Sequence, residues 1–391
     1  MTFAMSAGKA VLPDRRLPNG LLHRDRVQRI LVIKLRHFGD VLLTTPLLST
    51  LRANYPNALI DVLVYDGTEA MLAGNRDVYL TYTVDRTLKR QSCKAQYRGE
   101  QALWNSLNTG HYDLVINLSD QWRAALYCRF LKPTFSLGFA YPKRNNRLWR
   151  ACHSLLVPMD GHNQRHTVLN NLSILSPLAL PTLVTKVTQA YRQRDVDEID
   201  RLSQHHHLTD FVLIQPTARW AFKTWSVAGF TRVIDHLTAS GETVVLTCGR
   251  SADEIALIAT LLAHCAMPQR VVNLAGRLDL PELAVLIDRA KLFIGVDSVA
   301  MHMAAALQTP SVVLFGPSNL QQWSPWQAPH ILLWAGNYRS LPHPDEVNTA
   351  TPERYLDAIP ASEVIRAINR QLTCLEIPTS RTVNDTVFNY P

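Results

Sequence analysis

Four short stretches of this chain hold residues whose types and spacing suit chemistry on an anionic, hydroxyl-rich substrate. The first is Lys34-Leu35-Arg36-His37-Phe38-Gly39-Asp40-Val41, which follows an apolar run. A glycine and an aspartate at a strand-to-helix turn put a carboxylate at the start of a helix, at the carboxyl end of a sheet. The helix dipole keeps such an aspartate ionised, and an ionised carboxylate facing a cleft can act as a general base. Gly39 allows a substrate close to the backbone. Asp40 has a plainer reading as an N-cap, a position that Asp favours.

The second stretch is Gln215-Pro216-Thr217-Ala218-Arg219-Trp220-Ala221-Phe222-Lys223-Thr224-Trp225-Ser226. Thr217, Arg219, Lys223 and Thr224 supply two cations and two hydroxyls around a helix start, a set that suits a diphosphate. The alternative is a solvated basic loop with Trp220 and Trp225 packed in a core. The third runs from Gly295 to Ala306 and contains Asp297, Ser298 and His302. Ser298 and the free N–H groups of the following helix form an anion site, while Asp297 can accept bonds from sugar hydroxyls. His302, one turn on, is either a ligand or a satisfied core residue, and Met301 and Met303 are core. The fourth, Gly316-Pro317-Ser318, offers an open turn at a strand end that could cover a nucleotide.

These stretches need elements to hold them, and short β-branched runs alternate with amphipathic helix-length runs, as in a parallel sheet covered by helices. Strands are expected over Ile30–Leu35, Leu59–Tyr65, Asp113–Leu118, Phe211–Gln215, Thr243–Cys248, Leu292–Val296 and Ser311–Phe315. Helices are expected over Asp40–Tyr55, Gln121–Leu131, His162–Leu175, Ser226–Ala239, Ala252–His264, Leu280–Ala290, Ser298–Leu307 and Ser362–Leu375. The polar stretch after Pro177 and Pro181 marks a boundary. The expected organisation is an arm over 1–28, one α/β domain over 29–180, a linker over 181–209, a second α/β domain over 210–370 and a tail over 371–391. Two such domains create a cleft between the carboxyl ends of their sheets, where ligands bind.

The 391 residues are ample for two domains at roughly 100–200 residues each. An apolar fraction of 47% with 18% charged residues excludes a disordered chain. No apolar run approaches the roughly 18 residues of a membrane span, and the first 28 residues lack the apolar region of a signal peptide. Six scattered cysteines without a Cys-x-x-Cys pair indicate reduced thiols rather than disulfides or zinc. Neither the Gly-x-Gly-x-x-Gly of a dinucleotide site nor a P-loop occurs. The net charge of +8 asks for an anionic partner: nucleic acid, a membrane surface or a phosphorylated substrate. Lys143, Arg144, Arg147 and Arg150, with Tyr141 and Trp149, form a basic aromatic loop for such a partner, or else a solvated surface loop.

Taken in order, IKLRHFGDVLLTTPLL, the Lys-Thr-Trp loop, GVDSVAMHMAAAL and LFGPS resemble the lipopolysaccharide core heptosyltransferases, from about Arg29 to about Arg370. The first block most resembles the branch that adds the third heptose. The resemblance implies glycosyltransferase family 9 and a GT-B fold: α/β, two Rossmann-like domains with parallel sheets facing a central cleft. It implies inverting transfer of L-glycero-D-manno-heptose from ADP-heptose to the lipopolysaccharide inner core on lipid A, with the N-terminal domain binding acceptor and the C-terminal domain binding donor. Asp40 matches the proposed base, Lys223 the lysine near the donor phosphates, and Asp297 and His302 the Asp-x-x-x-x-His of the late helix. Thr217, Arg219, Thr224, Ser298 and Gly316 are expected to complete the donor site, and Arg36, Gly39, Lys143, Arg144 and Arg147 to meet the acceptor. The resemblance further implies no cofactor or metal, no nucleic-acid partner, and a cytoplasmic enzyme peripheral to the inner membrane. Alternatives are a GT-B transferase with another nucleotide sugar for another envelope glycan, or a non-catalytic nucleic-acid-binding protein, although no helix-turn-helix, zinc or RNP signature is present.

Overall fold

The computed structural model describes residues 26–90, 92–144, 146–376 and 387–388. The expected arm lies outside these except at 26–28, and the expected tail except at 371–376 and 387–388. β1 (Arg29–Lys34), β2 (Leu59–Tyr65), β3 (Leu80–Val84), β4 (Leu114–Asn117), β5 (Phe135–Phe139) and β6 (Leu155–Val157) form a parallel sheet in the order β3-β2-β1-β4-β5-β6. A short strand, β7 (Tyr191–Arg192), follows in the connection. β8 (Phe211–Gln215), β9 (Thr243–Leu246), β10 (Val271–Asn273), β11 (Leu292–Val296), β12 (Ser311–Phe315) and β13 (His330–Trp334) repeat the arrangement as β10-β9-β8-β11-β12-β13. β14 (Val387–Phe388) pairs with β7.

Each sheet thus reads 3-2-1-4-5-6 within its own half, the doubly wound order. Its switch points lie between β1 and β4 and between β8 and β11. β1 and β8 are aliphatic runs buried along almost their whole length, because helices cover both faces of a parallel sheet. Ile30 sits between Ile60 and Leu114, and Leu213 between Val245 and Phe293, which fixes the register of both centres. Buried side chains from both halves merge into one apolar cluster that includes Val41, Leu47 and Val64 with Met301, Met303 and Phe315.

Three expected elements are corrected. The helix over Asp40–Tyr55 is two helices, Phe38–Leu42 and Thr45–Asn54. Pro46 has no N–H for the carbonyl of Leu42, so Thr45 Oγ1 donates to it at 2.9 Å, while Thr44 Oγ1 donates to the carbonyl of Asp40 at 2.8 Å. The helix over His162–Leu175 is a 3₁₀ turn at His162–Gln164 and a helix at Thr167–Ser173. Asn170 Nδ2 donates to the carbonyls of His162 and Arg165 there, in place of helical N–H groups.

The third correction concerns the polar linker, which contains the helix Gln193–His206, with Val196, Ile199 and Leu202 buried as a narrow stripe. Before it, the chain is strapped to the helix Thr45–Asn54. Asn54 Nδ2 donates to Thr182 O at 2.7 Å, and Thr50 Oγ1 and Thr45 Oγ1 accept from Val184 N at 2.9 Å and Thr188 N at 3.0 Å. Tyr191 then donates its hydroxyl to Asp288 Oδ2 of the second half at 2.6 Å.

Candidate functional site

The carboxyl end of β1 carries the first group of site residues. His37 is the N-cap of the helix Phe38–Leu42, and Asp40 is its third residue, so the N-cap reading of Asp40 is corrected. From that place its carboxylate still faces the positive end of the helix. Asp40 is 20% exposed at the side chain, with Oδ1 3.8 Å from Nζ of Lys34, which is 7% exposed. Lys34 Nζ donates to Asn171 Oδ1 at 3.1 Å, and Asn171 Nδ2 donates to Leu43 O at 2.9 Å. Burial pulls the pKa of Lys34 below the usual lysine value, with Asp40 opposing that shift. Sequence reasoning did not single out Lys34; its signal is a lysine ending an otherwise aliphatic buried strand, RILVIK.

Arg36 Nη2 lies 3.1 Å from Asp120 Oδ1, and Arg144 Nε donates to the Asp120 carbonyl at 2.8 Å, so two of the four expected acceptor cations meet just past the end of β4. Lys143 and Arg147 are exposed. Trp149, expected to join the basic loop in meeting an anionic partner, is fully buried and donates Nε1 to Phe139 O at 3.0 Å. It packs as core against Ala125 and Trp122, and cannot serve that purpose.

The second half supplies the opposite wall. Lys223 Nζ donates to Asp297 Oδ2 at 2.5 Å, and Ser318 Oγ donates to the same oxygen. Lys223 and Arg219 stand 5.2 and 5.3 Å from the ring centroid of Trp220, which stacks on Phe222; Trp225 is buried. Arg219 reaches across to His37, with Nη1 2.6 Å from Nε2 and 2.8 Å from Nδ1. Burial, and next the Arg219 charge, lower the pKa of His37, so its ring can accept. Thr217 accepts from Gln215 Nε2 at 3.2 Å, and Thr224 donates to Ala221 O at 2.6 Å; both are buried inside the loop.

Ser298 occupies the N-cap of the helix Val299–Ala306, yet its hydroxyl makes no cap bond. Ser298 Oγ and His302 Nδ1 are both buried without a hydrogen-bond partner. Buried orphan polar atoms are rare in a core and mark a place where something else binds. Burial pushes the pKa of His302 down to about 4; Asp297 and Asp40 oppose that shift, and Lys223 adds to it. Across the cleft, a Cβ at Gly39 would lie 3.1 Å from His302 Cδ2, so His302 fills the space beside that glycine. At Gly316 a Cβ would lie 2.8 Å from Leu356 Cδ1, and its carbonyl accepts from Trp334 Nε1.

The fold therefore gathers Asp40, Gly39, His302, Asp297, Lys223 and Ser298 around one cleft, with Arg219 bridging it and Arg36 and Arg144 beside it. Lys143 and Arg147 lie on the open surface, while Thr217, Thr224 and Gly316 are packed into the second half. Lys34 and His37 join the site unannounced by the sequence, and Ser318, expected in an open turn that could cover a nucleotide, joins it through its bond to Asp297. Among the described residues, no group of three or more His, Cys, Asp or Glu is placed to hold a metal ion, and no helix is long and apolar enough to cross a membrane. Each of the six cysteines is a free thiol.

A family model described as Glycosyltransferase family 9 (heptosyltransferase) matches residues 101–352. Lipopolysaccharide heptosyltransferase 3 of Escherichia coli is 39% identical over 347 residues, covering 88% of this chain and 100% of the relative. Among solved structures, a glycosyl transferase family 9 protein from Veillonella parvula aligns with a TM-score of 0.75 at 22% identity, covering 88% of this chain and 97% of that one. The E. coli ADP-heptose lps heptosyltransferase II aligns with a TM-score of 0.71 at 22% identity, covering 89% and 100%. The two doubly wound domains are a GT-B fold. Matched by the family model over well more than half its length, and by a relative over nearly all of it, the chain belongs to glycosyltransferase family 9, the heptosyltransferases.

Proposed function

We propose that this enzyme moves L-glycero-D-manno-heptose, with inversion, from ADP-heptose onto a heptose of the lipopolysaccharide inner core, at the third-heptose step. The relative aligned along its whole length is a lipopolysaccharide heptosyltransferase 3, and a structural neighbour is titled an ADP-heptose enzyme. One observation carries the assignment of roles. Asp40 from one half and Lys223 and Asp297 from the other all lie near enough to His302 to act on its charge, and His302 packs beside Gly39.

Asp40 takes the proton of the acceptor hydroxyl as its oxygen bonds the anomeric carbon. The bond from that carbon to the diphosphate breaks on the opposite face, and ADP leaves with the electron pair. Lys223 and the N–H groups at the start of the helix Val299–Ala306 stabilise the charge that grows on the diphosphate. The orphan Ser298 hydroxyl and His302 Nδ1 offer two further polar partners to the donor. The protein's own cations do this work, so the reading assigns no metal or organic cofactor.

Arg36 and Arg144 meet the anionic acceptor, while Lys143 and Arg147 face the bilayer that carries it, giving peripheral contact from the cytoplasmic side. Nucleic acid has no part in this reading. The test presents truncated core acceptors in anionic vesicles with ADP-heptose and with UDP- and GDP-sugars, and reads product mass. The expected result is transfer from ADP-heptose to an acceptor lacking its third heptose, weakened by salt and by neutralising Lys143, Arg144 and Arg147. Preference for another nucleotide sugar would sink the donor assignment, and indifference to salt and to those charges would sink the membrane contact.

A further inference from the structure

We infer that Lys34, held by Asn171, is a positioning residue that orients the Asp40 carboxylate toward the acceptor. The inference rests on the reading of Asp40 as base. Lys34 closes β1 beneath the helix Phe38–Leu42, with Nζ 3.1 Å from Asn171 Oδ1 and 3.8 Å from Asp40 Oδ1. Asn171 is itself oriented, because its Nδ2 donates to the Leu43 carbonyl at 2.9 Å just past that helix. The amide oxygen therefore faces the ammonium, and the ammonium has one hydrogen-bond acceptor and one carboxylate to choose from.

A buried lysine is expensive to retain. An aliphatic residue would extend the run RILVIK at no such cost, so the charge at this position answers to something outside the core. Its neighbour in reach is Asp40. The other ionisable groups facing Asp40 carry no competing positive charge near neutral pH. His37 and His302 are both depressed by burial, the latter to about 4, and Tyr141 is raised by burial. Arg36 is turned to Asp120, and Arg219 to His37. Lys34 is thus the cation that faces the carboxylate from below, while its exposed edge looks into the cleft.

Lys34→Met, which fills the space without charge, should lower kcat roughly 10- to 100-fold with KM for the nucleotide sugar unchanged. In an Asp40→Asn background the same substitution should add little, because its effect runs through Asp40. Should Lys34→Met not fold, Lys34→Gln gives the same readouts. A full multiplicative loss in the double variant, or a rise in KM for the nucleotide sugar matching the fall in kcat, overturns the inference while leaving Asp40 as base. Near-normal turnover of Asp40→Asn alone overturns the base reading, and this inference with it.

Discussion

At Asp40 a single carboxylate stands in the first turn of a helix, 3.8 Å from a buried ammonium and partly open to solvent, and the proposed role as base rests on that combination. Asp40→Asn keeps the shape and removes the base, so kcat should fall about 10²–10⁴-fold. Binding of the nucleotide sugar, followed by calorimetry, should persist, because the donor groups belong to the other half. Loss of binding in parallel with turnover would show instead that Asp40 holds the two halves together. Asp40, Lys223, Asp297 and His302 were legible because their types and spacing repeat a recognisable order at strand ends. The pairings of Lys34, His37 and Ser318 were not, because each is defined by a partner supplied elsewhere in the chain. Lys34 depends on Asn171, 137 residues on, and His37 on Arg219, 182 residues on. Ser318 depends on Asp297, 21 residues back. No local pattern announces such a partner.

The elements that hold these residues depend on a few side-chain hydroxyls. Thr45 Oγ1 donates to the carbonyl that Pro46 leaves orphaned, and accepts the N–H of Thr188 from the strap. Thr45→Val keeps the shape and leaves a buried donor and acceptor unmet. It should cost about 1–3 kcal/mol in urea unfolding, and a change below about 0.5 kcal/mol would contradict this account. The same proline explains why one helix was expected where two exist: the apolar period runs through 46, but the backbone ladder does not. Most inner strands were legible as unbroken aliphatic runs; β5 was not, because Ser136 and Gly138 interrupt its apolar run. β3, β6, β10 and β13 were missed because they are sheet edges, short or half exposed, where burial no longer dictates composition. The helix Gln193–His206 was missed because three buried residues suffice to dock it.

The two halves were visible in the sequence as a restarted alternation of strands and helices, but their contact face was not. Beside the shared apolar cluster it includes polar pairs: Asn319 Nδ2 on Asn163 O, Gln322 Nε2 on His162 O, and His166 Nε2 on Ser324 O, with His166 stacked on Trp326 at 4.5 Å. His166 Nδ1 accepts from Val168 N, which makes Nε2 the protonated nitrogen that donates to Ser324. Burial pushes this ring down to about 4. A histidine depressed below its ordinary 6.5 contributes stability that is complete above that value and is lost as pH falls toward about 4. Unfolding temperature should therefore fall across that window. His166→Asn keeps the cap on Val168 and cannot titrate, so it should start lower at neutral pH and decline less on acidification. Equal slopes in scanning calorimetry would remove His166 from this role. His162 and His302, also near 4, keep part of the slope in the variant.

The strap has a mechanical consequence. Fastened to the first half through Thr188 and to the second from Tyr191, it leaves only Gln189 and Ala190 between the two moorings. Tyr191 sits hard by the first half as well, its carbonyl 3.2 Å from where a Cβ at Gly74 would be. At this crossing the halves are joined as a door is to its frame, by a pin two residues long, and not as beads on a thread.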